Sequence, residues 1–275
     1  MKKIDAHLHV WSDDPSRYPY APGRGEPGAR GSAEFLLELM DASGIDGAVI
    51  VQPIYHGFDH HYVSDTLARW PDRFVGAALV NPQAADPAGE LQRYLDQGYR
   101  GVRLNPRLWP QSRGMDDEVG RALMAVCAER GVPASFLIEP EHFEQVEALC
   151  AAFPDAPAVI DHFGRARASE AGRADVERLA GMSRLPNLYV KISGFPVSSS
   201  EGWPYRDMSG LVRRLIDAYS ARRLMFATDF PHIVSQCGYA RGWEIAEHLD
   251  PPLSSEEREW ILGRTAQDLF KHWKG

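Results

Sequence analysis

The sequence predicts an α/β protein of the (β/α)8 TIM-barrel class. Two observations carry that expectation: short apolar runs rich in β-branched residues alternate with helix-like stretches along the chain, and the segments that follow the runs are longer than those that precede them. The runs are residues 3–10, 47–52, 74–80, 100–105, 134–138, 158–162, 188–193 and 224–228, eight strand-length segments in all. Helix-like stretches with recognisable ends lie between them. Residues 32–43 are closed by Gly44, residues 86–97 open on Asp86-Pro87 and are closed by Gly98, and residues 116–130 are closed by Gly131. Residues 141–153 stop at Pro154, and residues 207–219 form another. The last, 254–273, begins Ser-Ser-Glu-Glu and carries Trp260, Ile261, Leu269 and Phe270 as a packing stripe. A single domain over residues 1–275 accommodates this alternation, with a doubly wound open sheet as the competing arrangement.

Loop lengths locate the chemistry. Residues 11–31, rich in Gly and Pro, follow the first run, and residues 194–206 and 230–243 follow the last two. Loops after strands gather at the C-terminal face of such a barrel, where active sites sit, so these read as substrate cover, or otherwise as surface decoration.

Composition narrows the function classes. With 275 residues, 44% of them hydrophobic, the chain can bury a large core. Its net charge of −8, without a block of Lys and Arg, argues against nucleic-acid or anionic-membrane partners and leaves a small-molecule substrate, with a homodimer compatible. Cys127, Cys150 and Cys237 are odd in number and lack ligand-like spacing, which fits a reducing compartment. Met-Lys-Lys leads straight into a strand, and no apolar run approaches the roughly 18 residues of a membrane span. The expectation is a cytoplasmic protein.

The most informative segment is Lys3-Ile4-Asp5-Ala6-His7-Leu8-His9-Val10. Period-two alternation would turn Asp5, His7 and His9 one way and Ile4, Leu8 and Val10 the other. Two imidazoles side by side on a stiff backbone suit a divalent metal, although ordinary strand histidines are the plainer explanation. Other polar residues also fall at strand ends: Gln52, Asn81, Arg103, Asn105, Glu139, His162, Lys191, Ser193 and Asp229. Among them His7, His9, Glu139, Asp229 and potentially His162 offer imidazoles and carboxylates suited to one Zn²⁺ or similar ion with an open water position. The chemistry would be a metal-activated water or a metal clamp on substrate oxygen.

Five motifs together resemble the amidohydrolase superfamily: Asp5-Ala6-His7-Leu8-His9, Arg100-Gly101-Val102-Arg103-Leu104-Asn105, Asp161-His162-Phe163-Gly164, Leu188-Tyr189-Val190-Lys191-Ile192-Ser193-Gly194 and Ala227-Thr228-Asp229-Phe230-Pro231-His232. Within it the chain is similar to the amidohydrolase-related (amidohydrolase 2) branch, which contains sugar-lactone hydrolases, 2-pyrone-4,6-dicarboxylate lactonase and aminocarboxymuconate-semialdehyde decarboxylase. The resemblance implies that His7 and His9 are the strand-one metal pair. It makes Asp229 the residue that binds metal or takes a proton from water, and His162 a base or carbonyl-polarising group. It gives Arg103 the grip on substrate carboxylate or carbonyl oxygen, a task suited to a rigid guanidinium fork. Decarboxylase-like members carry a histidine before proline at the end of strand five, where this chain has Ile138-Glu139-Pro140. Glu139 would be a ligand in its place or a glutamate at a helix N-terminus. With no lysine for a carbamate bridge, one metal is the most expected, and some lactonases of this branch work without any.

Remaining candidates are assigned by position. Tyr55, His56, Gln52, Asn105 and Lys191 are expected to join Arg103 in contacting substrate, and Lys191 could equally bond across the barrel. His60 and His61 read as cap or surface residues, His232 as support behind the site, and His142, His248 and His272 as helix residues. Tyr18, Tyr20, Trp109, Trp203 and Tyr205 would form an aromatic pocket wall or pack the loops themselves. The leading functional reading is hydrolysis of a lactone of a small carboxylated or polyhydroxylated molecule. Non-oxidative decarboxylation of a small aromatic or muconate-like acid, and a catalytically silent binding barrel, are the alternatives.

Overall fold

A computed structural model describes residues 1–273. Eight parallel strands follow the eight apolar runs: β1 (Ile4–Leu8), β2 (Gly47–Val51), β3 (Phe74–Ala77), β4 (Val102–Leu104), β5 (Ala134–Phe136), β6 (Ala158–Ile160), β7 (Leu188–Ile192) and β8 (Leu224–Phe226). They form two ladders, β1-β2-β3 and β4-β5-β6-β7-β8. Backbone bonds at the two seams join these into a ring. At one seam Arg100 N–H donates to Gly76 O (2.8 Å), Ala78 N–H to Gly101 O (2.9 Å) and Arg103 N–H to Ala78 O (2.8 Å). At the other, His9 N–H donates to Phe230 O (2.7 Å) and Asp229 N–H to His7 O (3.1 Å).

The helices lie outside the ring. They include α1 (Ala33–Ser43), α2 (His61–Arg69), α3 (Pro87–Asp96), α4 (Glu118–Arg130), α5 (Phe143–Ala152) and α6 (Arg173–Gly181). After β7 come the short α7 (Phe195–Ser198) and α8 (Ser209–Tyr219), and after β8 come α9 (His232–Gln236) and α10 (Tyr239–Glu244). Local sequence sets many of the ends: the Asp117 carboxylate caps α4 by accepting from Val119 and Gly120 N–H, and Gly131 ends it in a left-handed conformation (φ 59°). Cys127 and Cys150 are buried free thiols on α4 and α5. Among the described residues no helix is long and apolar enough to cross a membrane.

The predicted final helix contains a widened turn. A capping box between Ser254 and Glu257 starts α11 (Ser255–Glu259), a π-helical turn spans Trp260–Arg264, and α12 (Thr265–Phe270) completes it. Ala266, Leu269, Phe270 and Trp273 pack with Ile4, Ala6, Val49, Val51, Val75 and Met225, plugging the barrel with apolar volume.

β1 departs from strict alternation, and this corrects the expected facing of its side chains. Its register against β2 is irregular between Asp5 and Leu8. Ile4 and Ala6 share the interior cluster, whereas Leu8 and Val10 belong to the outer core. The irregularity therefore turns His7 and His9 inward beyond Ala6, as a β-bulge re-aims side chains beside a site. Asp5 is left apart, accepting hydrogen bonds from Thr228 N–H (3.0 Å), Thr228 Oγ1–H (2.6 Å) and Tyr239 O–H (3.1 Å).

Because Phe270 is almost fully buried in the plug, Phe270→Ala should cost about 3–5 kcal/mol of unfolding free energy. Urea unfolding should show a lower midpoint with an unchanged slope, and a change under about 1 kcal/mol would mean that α12 does not fill the barrel.

Candidate active site at the strand ends

Each chemical group is carried to the C-terminal end of the ring by a strand or the turn just after it. His7 comes from β1 and His9 just follows it, Arg103 comes from β4, His162 follows β6, Lys191 comes from β7 and Ser193 just follows it, and Asp229 follows β8. Asp229 adopts φ 60°, a conformation costing a non-glycine residue about 1–3 kcal/mol. Bonds on both sides hold it: Asp5 binds Thr228, Thr228 Oγ1 accepts from Phe230 N–H (3.2 Å), and Asp229 N–H reaches His7 O. His162, Phe163, Gly164 and Arg165 all have φ between 51° and 57°. Gly194 lies against this turn at φ 70°, and a Cβ there would stand 2.8 Å from His162 Cβ, so close an approach requires glycine.

Three of the expected ligands converge. His7 Nε2 and His9 Nε2 lie 3.8 and 3.7 Å from Asp229 Oδ1 and 3.4 Å from each other. Donor atoms around a tetrahedral Zn²⁺ stand roughly 3.3–3.4 Å apart, so slight contraction would make this a ligand set. The surroundings fit a cation as well. Asp229 Oδ1 is buried without a hydrogen-bond partner, and His9 Nδ1 donates to Val51 O at 2.8 Å, which leaves a lone pair on Nε2. His7 Nδ1 is 3.3 Å from Asp161 Oδ1, the outer carboxylate that commonly orients a ligating histidine. His162 Nε2 is 4.0 Å from Asp229 Oδ1, beside the set, and its Nδ1 meets Ser193 Oγ at 2.9 Å.

Burial dominates the electrostatics. It pushes Asp229 up to about 8, His162 down to about 3, and His7 and His9 well below the ordinary imidazole value. Burial also opposes ionisation of Asp161, yet Lys191, 3.0 Å away, and His7 hold that carboxyl well below its usual range. Arg103 is different: buried, with Nε and Nη1 unpartnered, it borders the same cavity as the cluster.

That cavity has a volume of about 150 Å³. His9, His162, Asp229, Arg103 and Arg165 make its polar side, while Trp11, Ile54, Tyr55, Leu137 and Val197 make its apolar side. Of the expected substrate contacts, Arg103 and Tyr55 are in place. Five other expectations are corrected. Glu139 is no metal ligand, because Arg107 and Arg165 each approach its Oε1 to 3.3 Å and hold it outside the cluster. Gln52 is fully buried and donates to Gly57 O and Asp59 O, stapling the loop after β2. His56 is tied to Ser12 N–H and Pro19 O, securing the first long loop. Asn105 accepts from Arg107 N–H and caps the turn after β4. Lys191 is wholly buried behind His7, out of a substrate's reach.

The wall aromatics are Trp11 and Tyr55, packed edge to face. Tyr18 packs on Tyr62, Tyr20 on His56, Tyr205 on Phe195 and Trp203 on His248, so those rings order the loops. His60 is buried between Phe58 O and Leu79 N–H, and His61 pairs with Asp59 at the surface. Asp161 and Arg165 were not singled out from sequence. Asp161 precedes the strand-six histidine and could have been found as a second carboxylate at the same strand end, whereas Arg165 reaches the cavity only through the left-handed turn.

Residues 4–271 match the Amidohydrolase family, and the chain belongs to that family and is a hydrolase. It is 28% identical over 229 residues to a 4-sulfomuconolactone hydrolase of Rhizobium radiobacter, covering 83% of this chain and 75% of that protein. It is 25% identical over 285 residues to an L-fucono-1,5-lactonase of Burkholderia multivorans, covering 98% and 95%. Among solved structures, a Pseudomonas putida protein provisionally assigned as a 2-pyrone-4,6-dicarboxylic acid hydrolase is 26% identical with a TM-score of 0.84, covering 98% of this chain and 97% of that one. An amidohydrolase from Burkholderia multivorans with bound zinc is 20% identical with a TM-score of 0.79, covering 99% and 100%.

The raised Asp229 sets a pH dependence for cation binding. Below about pH 8 an ion must displace the Asp229 proton, while the imidazoles enter neutral because theirs are lowered. Zn²⁺ affinity measured by chelator competition should fall about tenfold per pH unit between about pH 8 and 6, with about one proton released per ion. Affinity independent of pH over that interval would contradict the placement of Asp229 in the ligand set.

Proposed function

We propose that this protein hydrolyses a lactone of a small, single-ring acid. The carrying observation is the unpartnered Arg103 guanidinium in one small cavity with His9 and Asp229, which cluster with the buried His7. A buried charge left without a partner costs several kcal/mol, and an anionic oxygen of the substrate removes that cost. Arg165 adds a second cation at the rim, held there by Glu139. An apolar cavity of about 150 Å³ takes one benzene-sized molecule, and Leu137, Ile54 and Val197 supply an apolar surface for its ring. The lactone hydrolases among the relatives support this reading.

A divalent ion held by His7, His9 and Asp229, Zn²⁺ by the chemistry of the donors, would supply Lewis acidity toward a carbonyl or a water. The chain's own residues do the rest. Arg103 fixes the acidic group and turns the ester carbonyl toward the cluster. Asp229 receives the proton of the attacking water at a carboxylate oxygen. His162 is neutral, and its Nδ1 meets a hydroxyl that can donate or accept. Its Nε2 can therefore orient the water or hydrogen-bond the ring oxygen, which departs with the proton that Asp229 took from the water. Trp11 and Tyr55 shield this side from bulk solvent.

The test is acid release on a panel of five- and six-membered lactones, paired as acidic and neutral analogues. Arg103→Lys should lower kcat/KM on the acidic substrate about 10–100-fold, equivalent to about 1.4–2.7 kcal/mol, and leave the neutral analogue much less affected. Equal losses on both analogues would remove Arg103 from substrate recognition. Asp229→Asn should lower kcat by about 10²–10⁴, and retention of more than about a tenth of the activity would shift the proton to His162.

A further inference from the structure

The polar contacts behind the histidine pair have a direction. Val51 O can only accept, so His9 Nδ1 donates to it and His9 Nε2 is an acceptor. That acceptor faces His7 Nε2 at 3.4 Å. On the far side of the His7 ring, Nδ1 meets Lys191 Nζ at 3.2 Å. An ammonium has three donors and no acceptor. Burial lowers the Lys191 pKa and the Asp161 carboxylate 3.0 Å away opposes that; as an ammonium, Lys191 donates to Nδ1, and the single proton of the neutral ring then sits on Nε2, pointing at His9. From Lys191 through His7 and His9 to Val51 each contact is then a donor facing an acceptor, and the one left unsatisfied is His7 Nδ1 against Asp161 Oδ1.

A divalent ion demands the other form of the same ring. His7 must offer Nε2 as a lone pair, so its proton moves to Nδ1, where Asp161 Oδ1 lies 3.3 Å away. Lys191 must then turn its N–H from Nδ1 to Asp161 alone. The two partners of Nδ1, one donor and one acceptor at nearly equal distance, favour opposite tautomers.

We propose that Lys191 is a positioning residue that selects the tautomer of His7 and thereby sets how tightly the strand-end site takes a divalent cation. The Lys191 bond holds His7 in the Nε2–H form, which competes with the ion. The Asp161 contact holds the Nδ1–H form, which ligates it. This inference rests on His7, His9 and Asp229 as a cation site and is independent of lactone hydrolysis.

The experiment reads imidazole ¹⁵N–¹H correlations of the full chain, first chelator-stripped and then with one equivalent of Zn²⁺. The stripped protein should show His7 as Nε2–H, and Zn²⁺ should convert it to the Nδ1–H form. Lys191→Met should show the Nδ1–H form already when stripped and bind Zn²⁺ about tenfold or more tightly by chelator competition. An Nδ1–H His7 in the stripped wild type overturns the proposal, as does an unchanged Zn²⁺ affinity in the variant. A tighter affinity without the tautomer change also overturns it, because that outcome needs only the lost positive charge. Should Lys191→Met fail to fold with Asp161 left unpaired, Asp161→Asn/Lys191→Met is compared with Asp161→Asn, and the same gain in Zn²⁺ affinity is expected. Failure of the wild type to bind Zn²⁺ would overturn the cation site itself, failure of the variant alone would overturn the role of Lys191, and lactone turnover is read separately.

Discussion

Three buried charges, Asp161, Lys191 and Arg103, with the partly exposed Asp229 beside them, govern the arrangement at one end of the barrel. Asp161 and Lys191 compensate each other at 3.0 Å with neither exposed. Asp229 has no such partner, and burial pushes it up toward neutrality. Arg103 is the reciprocal case, a buried cation whose nearest anions are not bonded to it. An unpaired charge in a low-dielectric interior is costly unless it neutralises or gains a partner. Asp161 and Lys191 pair with each other behind the cavity, both Asp161 oxygens lacking a hydrogen-bond partner, whereas Arg103 and Asp229 border the cavity. That difference separates residues that lie behind the cavity from residues that line it.

Closing the ring and building the site use the same backbone bonds. The seam between the first and last strands runs through His9 N–H to Phe230 O and Asp229 N–H to His7 O, so each bond that completes the barrel also fixes a member of the His7, His9 and Asp229 cluster. Asp5 strengthens the seam from below by binding Thr228, and burial pushes Asp5 itself up to about 6 in spite of those bonds. The irregular register of β1 aims His7 and His9 inward while Asp5 stays on the Thr228 side. Strain at Asp229 is sustained because every neighbour of that turn is bonded.

Much of the fold was legible because it rests on local chemistry. All eight strands coincide with apolar runs, and Gly44 and Gly131 end helices in left-handed geometry as their positions imply. The facing of β1 was not legible, since a register irregularity leaves no mark in a period-two pattern. At the site, His7, His9, Asp229, His162 and Arg103 stood out as polar residues at strand ends. Glu139 shared that position and misled, because its carboxylate is satisfied by Arg107 and Arg165 from other loops. Gln52 and His56 likewise spend their hydrogen bonds on loop backbone, a competition that strand position alone does not reveal. Arg165 depends on four consecutive left-handed residues, which no residue preference announces outside Gly164.

The proposed chemistry requires that His7, His9 and Asp229 hold one divalent cation together. X-ray absorption at the zinc edge, on protein loaded with one equivalent of Zn²⁺, addresses it most directly. The geometry predicts a nitrogen and oxygen shell at about 2.0–2.1 Å with the scattering of two imidazoles and no sulfur, and loss of that imidazole scattering when His7 and His9 are both replaced by Asn. A shell without imidazole scattering, or one unchanged in the double variant, would contradict the account.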